Sequence, residues 1–217
     1  VLVLDESGSM SDLTRDTIGG FNSMIEKEKK LDVDAHVTTV LFNDQYKMLY
    51  NRRELKDVRK MTDKDYTPGG MTALLDAVGR TIHKMDMVSG IHRKDKGNKV
   101  LFVIITDGEE NDSKEYTYAD VKKLIKDRQE NAGWEFIFLG ANIDAAAAAE
   151  NLGIDRDRAV KYKNTGSGVR ANFKAVAELS DSLAKSGRVS DEWKETVEKD
   201  EDDAADKQSA AVTSPRR

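Results

Sequence analysis

Five residues near the start of the chain already suggest a chemistry. An apolar run ends in Asp5-Glu6-Ser7-Gly8-Ser9. Two further pieces complete a set: Thr72 in Gly69-Gly70-Met71-Thr72, and Asp107 in Thr106-Asp107-Gly108. Asp5 and Asp107 offer carboxylates, and Ser7, Ser9 and Thr72 offer hydroxyls, which together suit a hard divalent cation. A cation held mostly by hydroxyls stays electrophilic and accepts one more anionic oxygen from outside. Mg2+ fits best, because it prefers six oxygens and keeps several waters. Mn2+ fits the same donors, and Ca2+ remains possible although it would want more carboxylates. Taken singly, Ser-Gly-Ser is equally a turn and a helix cap, and Asp107-Gly108 equally a turn. The three pieces in this order, each at a strand end or helix start, are far more specific than any one.

The elements that must position these residues follow from hydrophobic periodicity. Val1–Leu4 is a continuous apolar run, as expected of a strand buried on both faces. Residues 11–30 have helical spacing, with Ile18, Phe21, Met24 and Ile25 on one face. His36–Phe42 and Tyr46–Tyr50 are strands joined by a hairpin at Asn43-Asp44. Thr72–Met87 is an amphipathic helix, and Val100–Ile105 is the best candidate for a central strand. A helix over Ala119–Gln129, a strand over Phe136–Leu139 and a short Ala-rich helix over Ala145–Leu152 follow. Val160–Tyr162 and Val169–Lys185 supply a last strand and helix. This alternation predicts an α/β fold: a Rossmann-like, mostly parallel central sheet with one antiparallel edge strand and helices on both faces. Ligands of such sheets bind outside the carboxyl ends of the strands, near the point where strand order reverses. Asp5 and Asp107 both stand at such ends, so the crossover rule alone brings them to one rim.

Composition narrows the function classes. The chain has 217 residues, enough for one domain with a sizeable core. Nine acids and five bases fall in residues 190–217, leaving 31 acids and 30 bases elsewhere. The globular part is therefore near neutral and has no basic surplus for a nucleic-acid backbone. The expected division is a domain over 1–187 and an acidic, disordered tail over 188–217. Cysteine is absent, which excludes disulfides, thiolate catalysis and Cys-based zinc sites. No apolar run approaches the ~20 residues of a membrane span, and no signal peptide is visible, so cytoplasm is the expected compartment.

The spacing of these segments resembles the von Willebrand factor type A (vWA) family with a complete metal-ion-dependent adhesion site. DESGSM, VLFND, TPGGMTALLDAVG, FVIITDGEEN and WEFIFLGANIDA carry the likeness over residues 1 to about 163. It looks closest to small intracellular vWA proteins of bacteria and their phages. The resemblance implies Asp5, Ser7, Ser9, Thr72 and Asp107 as metal ligands, directly or through water, and all five positions match. It also implies a protein partner that offers a carboxylate to the metal. Several family members are adaptors to AAA+ ATPases, so the resemblance implies such a machine as a candidate partner.

An enzyme is the less favoured reading. A Mg2+-dependent phosphotransfer enzyme of the haloacid dehalogenase type would need a second acid two residues after Asp5, where Ser7 stands. The Gly69-Gly70-Met71-Thr72 stretch lacks the lysine of a phosphate-binding loop. His36, His83 and His92 are all placed away from the rim, which leaves no base. A structural protein with a stabilising metal is the other alternative. Around the site, Glu6, Glu109 and Glu110 are expected to face solvent, and Asp76 is either a supporting hydrogen-bond acceptor or a surface acid. Gly19-Gly20 suggests a close helix–sheet contact or a bend. Trp134 is expected to be partly buried, and Trp193 loosely packed in the tail.

Overall fold

Alternation along the strands decides the layering of this chain. The structure is a computed structural model that describes residues 1–31, 33–87 and 99–199. In β1 (Leu2–Asp5), Leu2 and Leu4 face one core and Val3 the other. In β4 (Leu101–Thr106), Val103 and Ile105 join the first core, and Phe102 and Ile104 the second. In β5 (Glu135–Gly140), Ile137 and Leu139 divide from Phe136 and Phe138 in the same way. A strand apolar on both faces must be covered on both. The first face is covered by α1 (Thr14–Glu28) and α5 (Gly166–Ser186). The second is covered by α2 (Leu74–Asp86), α3 (Tyr118–Asp127) and α4 (Ala145–Leu152).

With β2 (His36–Phe42), β3 (Tyr46–Glu54) and β6 (Ala159–Lys161), the described residues form a six-stranded sheet of order β3-β2-β1-β4-β5-β6. Every pairing is parallel except β2 with β3, so the antiparallel edge strand expected from the Asn43-Asp44 hairpin is present. The chain runs outward from β1 through β2 and β3, then crosses back to start again at β4. Strand order thus reverses between β1 and β4, and the crevice at their carboxyl ends is the expected ligand position.

Several local expectations are revised. The helix expected over 11–30 is a 3-10 segment over Gly8–Leu13 followed by α1 from Thr14, because the chain must first wrap the end of β1. Gly20 meets the Phe173 ring of α5 where a β-carbon would collide, so the contact is between two helices rather than helix and sheet. Trp134 is fully buried, stacked with Phe102 and Phe136. The tail boundary at 188 also moves. Val189, Trp193 and Val197 are buried in the core beneath α1 and α5, and residues 193–199 are helical. The spacing of four puts Trp193 and Val197 on one helix face, a signal that the acidic composition obscured. Arg158 pairs with Asp191 at 2.8 Å, and Thr196 donates to Glu178 at 2.7 Å, tying the segment down. The rest of the expected tail, from residue 200 onward, and His92 lie outside the described residues. Among the described residues no helix is long and apolar enough to cross a membrane.

Candidate functional site

The site is built on the end of β1. Asp5 is the last residue of that strand and is buried. One carboxylate oxygen accepts from the Ser7 backbone N–H at 2.7 Å, the other from Thr106 Oγ1 at 2.5 Å. Its carbonyl accepts from the Tyr66 hydroxyl at 2.6 Å. Ser7 stands at the N-cap position of the 3-10 segment, yet its side chain makes no capping bond. Its hydroxyl instead lies 3.1 Å from that of Ser9. Ser9 Oγ in turn donates to Asp107 Oδ1 at 2.6 Å. The Ser9 hydroxyl therefore points at the second carboxylate and the Ser7 hydroxyl at Ser9, and capping does not account for them.

The Thr72 loop is tied to both aspartate loops by backbone bonds. Gly69 N–H donates to the Glu6 carbonyl at 2.9 Å, and Gly8 N–H to the Gly70 carbonyl at 3.2 Å. Gly70 has φ +75° and packs on Asp44, a position that tolerates no side chain. On the other side, Asn111 Oδ1 accepts from Thr72 N–H at 2.9 Å and Asn111 N–H donates to the Thr72 carbonyl at 3.0 Å. Thr72 is buried, and its Oγ1 lies beside Gly108, 3.8 Å from where a β-carbon there would sit. The structure thus brings Asp5, Ser7, Ser9, Thr72 and Asp107 to one rim.

The electrostatics of this rim suit a cation. Asp5 and Asp107 are only 1% and 2% exposed, and the groups that reach their carboxylates are hydroxyls, a backbone N–H and an amide. Burial pushes the Asp5 carboxyl above its usual range; hydrogen bonds from Ser7 and Thr106 pull against this, and nearby Asp107 adds a smaller upward push. Two buried carboxylates close enough for one to feel the other's charge gain from a cation between them. Among the described residues no group of three or more His, Asp or Glu side chains could hold a metal. The set here has two carboxylates, and its other oxygens are the hydroxyls that a hard cation also accepts.

The acidic neighbours differ from the solvent-facing reading. Glu6 is buried; its Oε1 accepts from Thr67 N–H at 2.5 Å and pairs with Lys47 at 3.3 Å. Glu110 accepts from Leu75 N–H at 2.9 Å and Ser113 N–H at 2.7 Å, holding the start of α2. Glu109 is exposed as expected. Asp76 is buried and supports the site from behind, accepting three backbone N–H groups. His36 begins β2, six residues from Phe42, which pairs with Asp5, so it lies roughly 20 Å down the strand. His83 is nine residues into α2, about 13 Å along it, and bonds the Tyr116 hydroxyl at 2.7 Å. Residues that the motif did not single out are Thr106, Tyr66, Asn111, Asn142 and Asn164. Asn142 and Asn164 follow β5 and β6, and the rule that pointed to the ends of β1 and β4 points there too.

Comparison with known proteins identifies the family and the fold. The vWA-TerF-like family, the vWA domain found in the TerF C terminus, matches residues 1–160. The chain belongs to that family. vWA domains are often involved in protein interaction and metal-dependent adhesion. No curated protein matches the chain. Among solved structures, a von Willebrand factor type A protein from Catenulispora acidiphila is similar at TM-score 0.55 and 14% identity, over 82% of this chain and 41% of that one. The ArnB paralog VWA2 from Sulfolobus acidocaldarius gives TM-score 0.53 and 17% identity, over 82% and 43%. The pilus adhesin SpaC from Lactobacillus rhamnosus GG gives TM-score 0.60 and 13% identity, over 81% and 29%. This vWA domain therefore spans less than half the length of each, and at such identities the likeness establishes the fold alone.

Proposed function

We propose that this vWA domain is a Mg2+-dependent protein-binding module, an intracellular adaptor rather than an enzyme, with Asp5, Ser7, Ser9, Thr72 and Asp107 as its metal-ion-dependent adhesion site. The observation that carries this reading is the convergence of two buried carboxylates, reached by neutral groups, with three hydroxyls on one rim. Those five residues would hold Mg2+, or Mn2+ in its place. The bound ion would supply an electrophilic centre that accepts a carboxylate from a partner. The chain's own residues do the rest. Thr106 and Ser7 fix the Asp5 carboxylate, Ser9 fixes that of Asp107, and Asn111 fixes the backbone at Thr72. Met71 and Tyr118 are 51% and 44% exposed, the first next to Thr72 and the second close enough to Glu109 and Glu110 to feel their charge. Such apolar groups beside a cation suit a protein surface better than a small anion. No base stands at the rim among the described histidines, which argues against turnover.

The test is capture of the partner from the source cell with and without chelator, using wild type and Thr72→Ala, read by mass spectrometry. A partner, such as an AAA+ ATPase, that is lost in both cases supports the reading. A partner retained after both treatments contradicts it. Hydrolysis of phosphate esters that vanishes in Asp5→Ala would make the protein a phosphotransfer enzyme instead.

A further inference from the structure

Asp107 is gripped by residues of three loops. Ser9 holds its Oδ1, Asn142 Nδ2 donates to its carbonyl at 3.4 Å, and Asn164 Nδ2 donates to its Oδ2 at 3.2 Å. An ionised carboxylate only accepts, so Asn164 must turn its NH2 toward Asp107. That leaves Oδ1 as the other end of the amide, and this oxygen is shielded from solvent without a hydrogen-bond partner. The backbone around Asn164 is closely held. The Lys163 carbonyl accepts from Thr165 N–H at 2.8 Å, and Gly168 packs on Lys163 so closely that a β-carbon would collide. Thr165 then caps α5 by accepting from Gly168 N–H at 3.2 Å. An amide with one end on a rim carboxylate and the other unsatisfied, on a pinned loop, fits a polar site completed by a ligand better than a packing role.

We propose that Asn164 is a sixth functional residue of the cation site, a positioning residue that sets the Asp107 carboxylate through Oδ2 while Ser9 holds Oδ1. This rests on the cation reading above. Groups that orient a metal's ligands typically change its affinity by about 10–100-fold when removed. The experiment is calorimetric titration of Mg2+ and Ca2+ into wild type, Asn164→Ala, Asn164→Asp and Asp107→Ala, with melting temperatures measured in chelator. Asn164→Ala should weaken Mg2+ binding about tenfold while its metal-free melting temperature matches wild type. Asn164→Asp exchanges the donor for a carboxylate, and should raise the ratio of Ca2+ to Mg2+ affinity, which a purely structural role would not do. The inference is overturned if both Asn164 variants bind Mg2+ within twofold of wild type and Asp107→Ala has lost binding. If Asp107→Ala also binds as wild type, the cation reading itself fails, and this inference with it.

Discussion

Asp76→Ala should destabilise the protein in a way that reports on how the rim is braced. Asp76 lies in the first turn of α2, and its carboxylate accepts from the N–H groups of Lys114, Glu115 and Tyr116, each at 2.9 Å. These bonds pin the segment that runs from Asp107 toward α3, the same segment whose Asn111 holds Thr72. Removing the carboxylate leaves three N–H groups without their acceptor, at about 1 kcal/mol each, or about 3 kcal/mol together. For a chain of 217 residues this corresponds to a fall of about 6–12 °C in melting temperature. Burial raises the Asp76 pKa, but the three backbone bonds together with the nearby Arg80 outweigh it and hold the carboxyl below its usual range. A carboxyl with a depressed native pKa stabilises above its unfolded value of about 3.9, and the contribution is lost as pH falls through the native value. The gap between wild type and Asp76→Ala should therefore be full at pH 7 and narrow as pH drops below about 4. Thermal melts followed by circular dichroism from pH 7 to pH 3 measure it. A difference under about 2 °C at pH 7, or a gap that persists unchanged at pH 3, would refute this reasoning.

Three further substitutions probe the packing behind the site. Trp193→Ala should cost about 3–5 kcal/mol in urea unfolding, since the ring is 1% exposed in the core under α1 and α5; a loss below about 1 kcal/mol would mean that residues 193–199 do not dock. Gly20→Val should destabilise by about 1–3 kcal/mol, because the added carbons meet the Phe173 ring, and Gly19→Ala, with open space around it, should be much milder.

What could be read from the chain in advance was what periodicity and chemical type carry. VLFVII and the run before Asp5 are apolar at every position, so a two-sided buried sheet followed, and the ends of its strands located the rim. Asn43-Asp44 announced the hairpin. What escaped was set by long-range hydrogen bonds that no local pattern records. Glu6 is bonded to Thr67, 61 residues away. Glu110 caps the start of α2, so its charge serves the backbone rather than the solvent. The helix after Thr72 starts two residues later than its pattern suggests, because Asn111 takes the Thr72 N–H and Ala73 leaves helical geometry. Trp193 was masked by its acidic neighbours although Trp193 and Val197 recur at helical spacing. Asn142 and Asn164 needed the order of β5 and β6 in the sheet before they could be placed.

The central claim is that Asp5, Ser7, Ser9, Thr72 and Asp107 together hold one divalent cation. Calorimetric titration of Mg2+ into chelator-stripped wild type and Asp107→Ala tests it most directly, with melting temperature followed in parallel. The prediction is a single site in wild type, with a melting temperature that climbs as Mg2+ is added, since a ligand that binds only the folded state stabilises it by mass action. Asp107→Ala should show neither the heat nor the shift. The full heat and the full shift surviving in Asp107→Ala would contradict it.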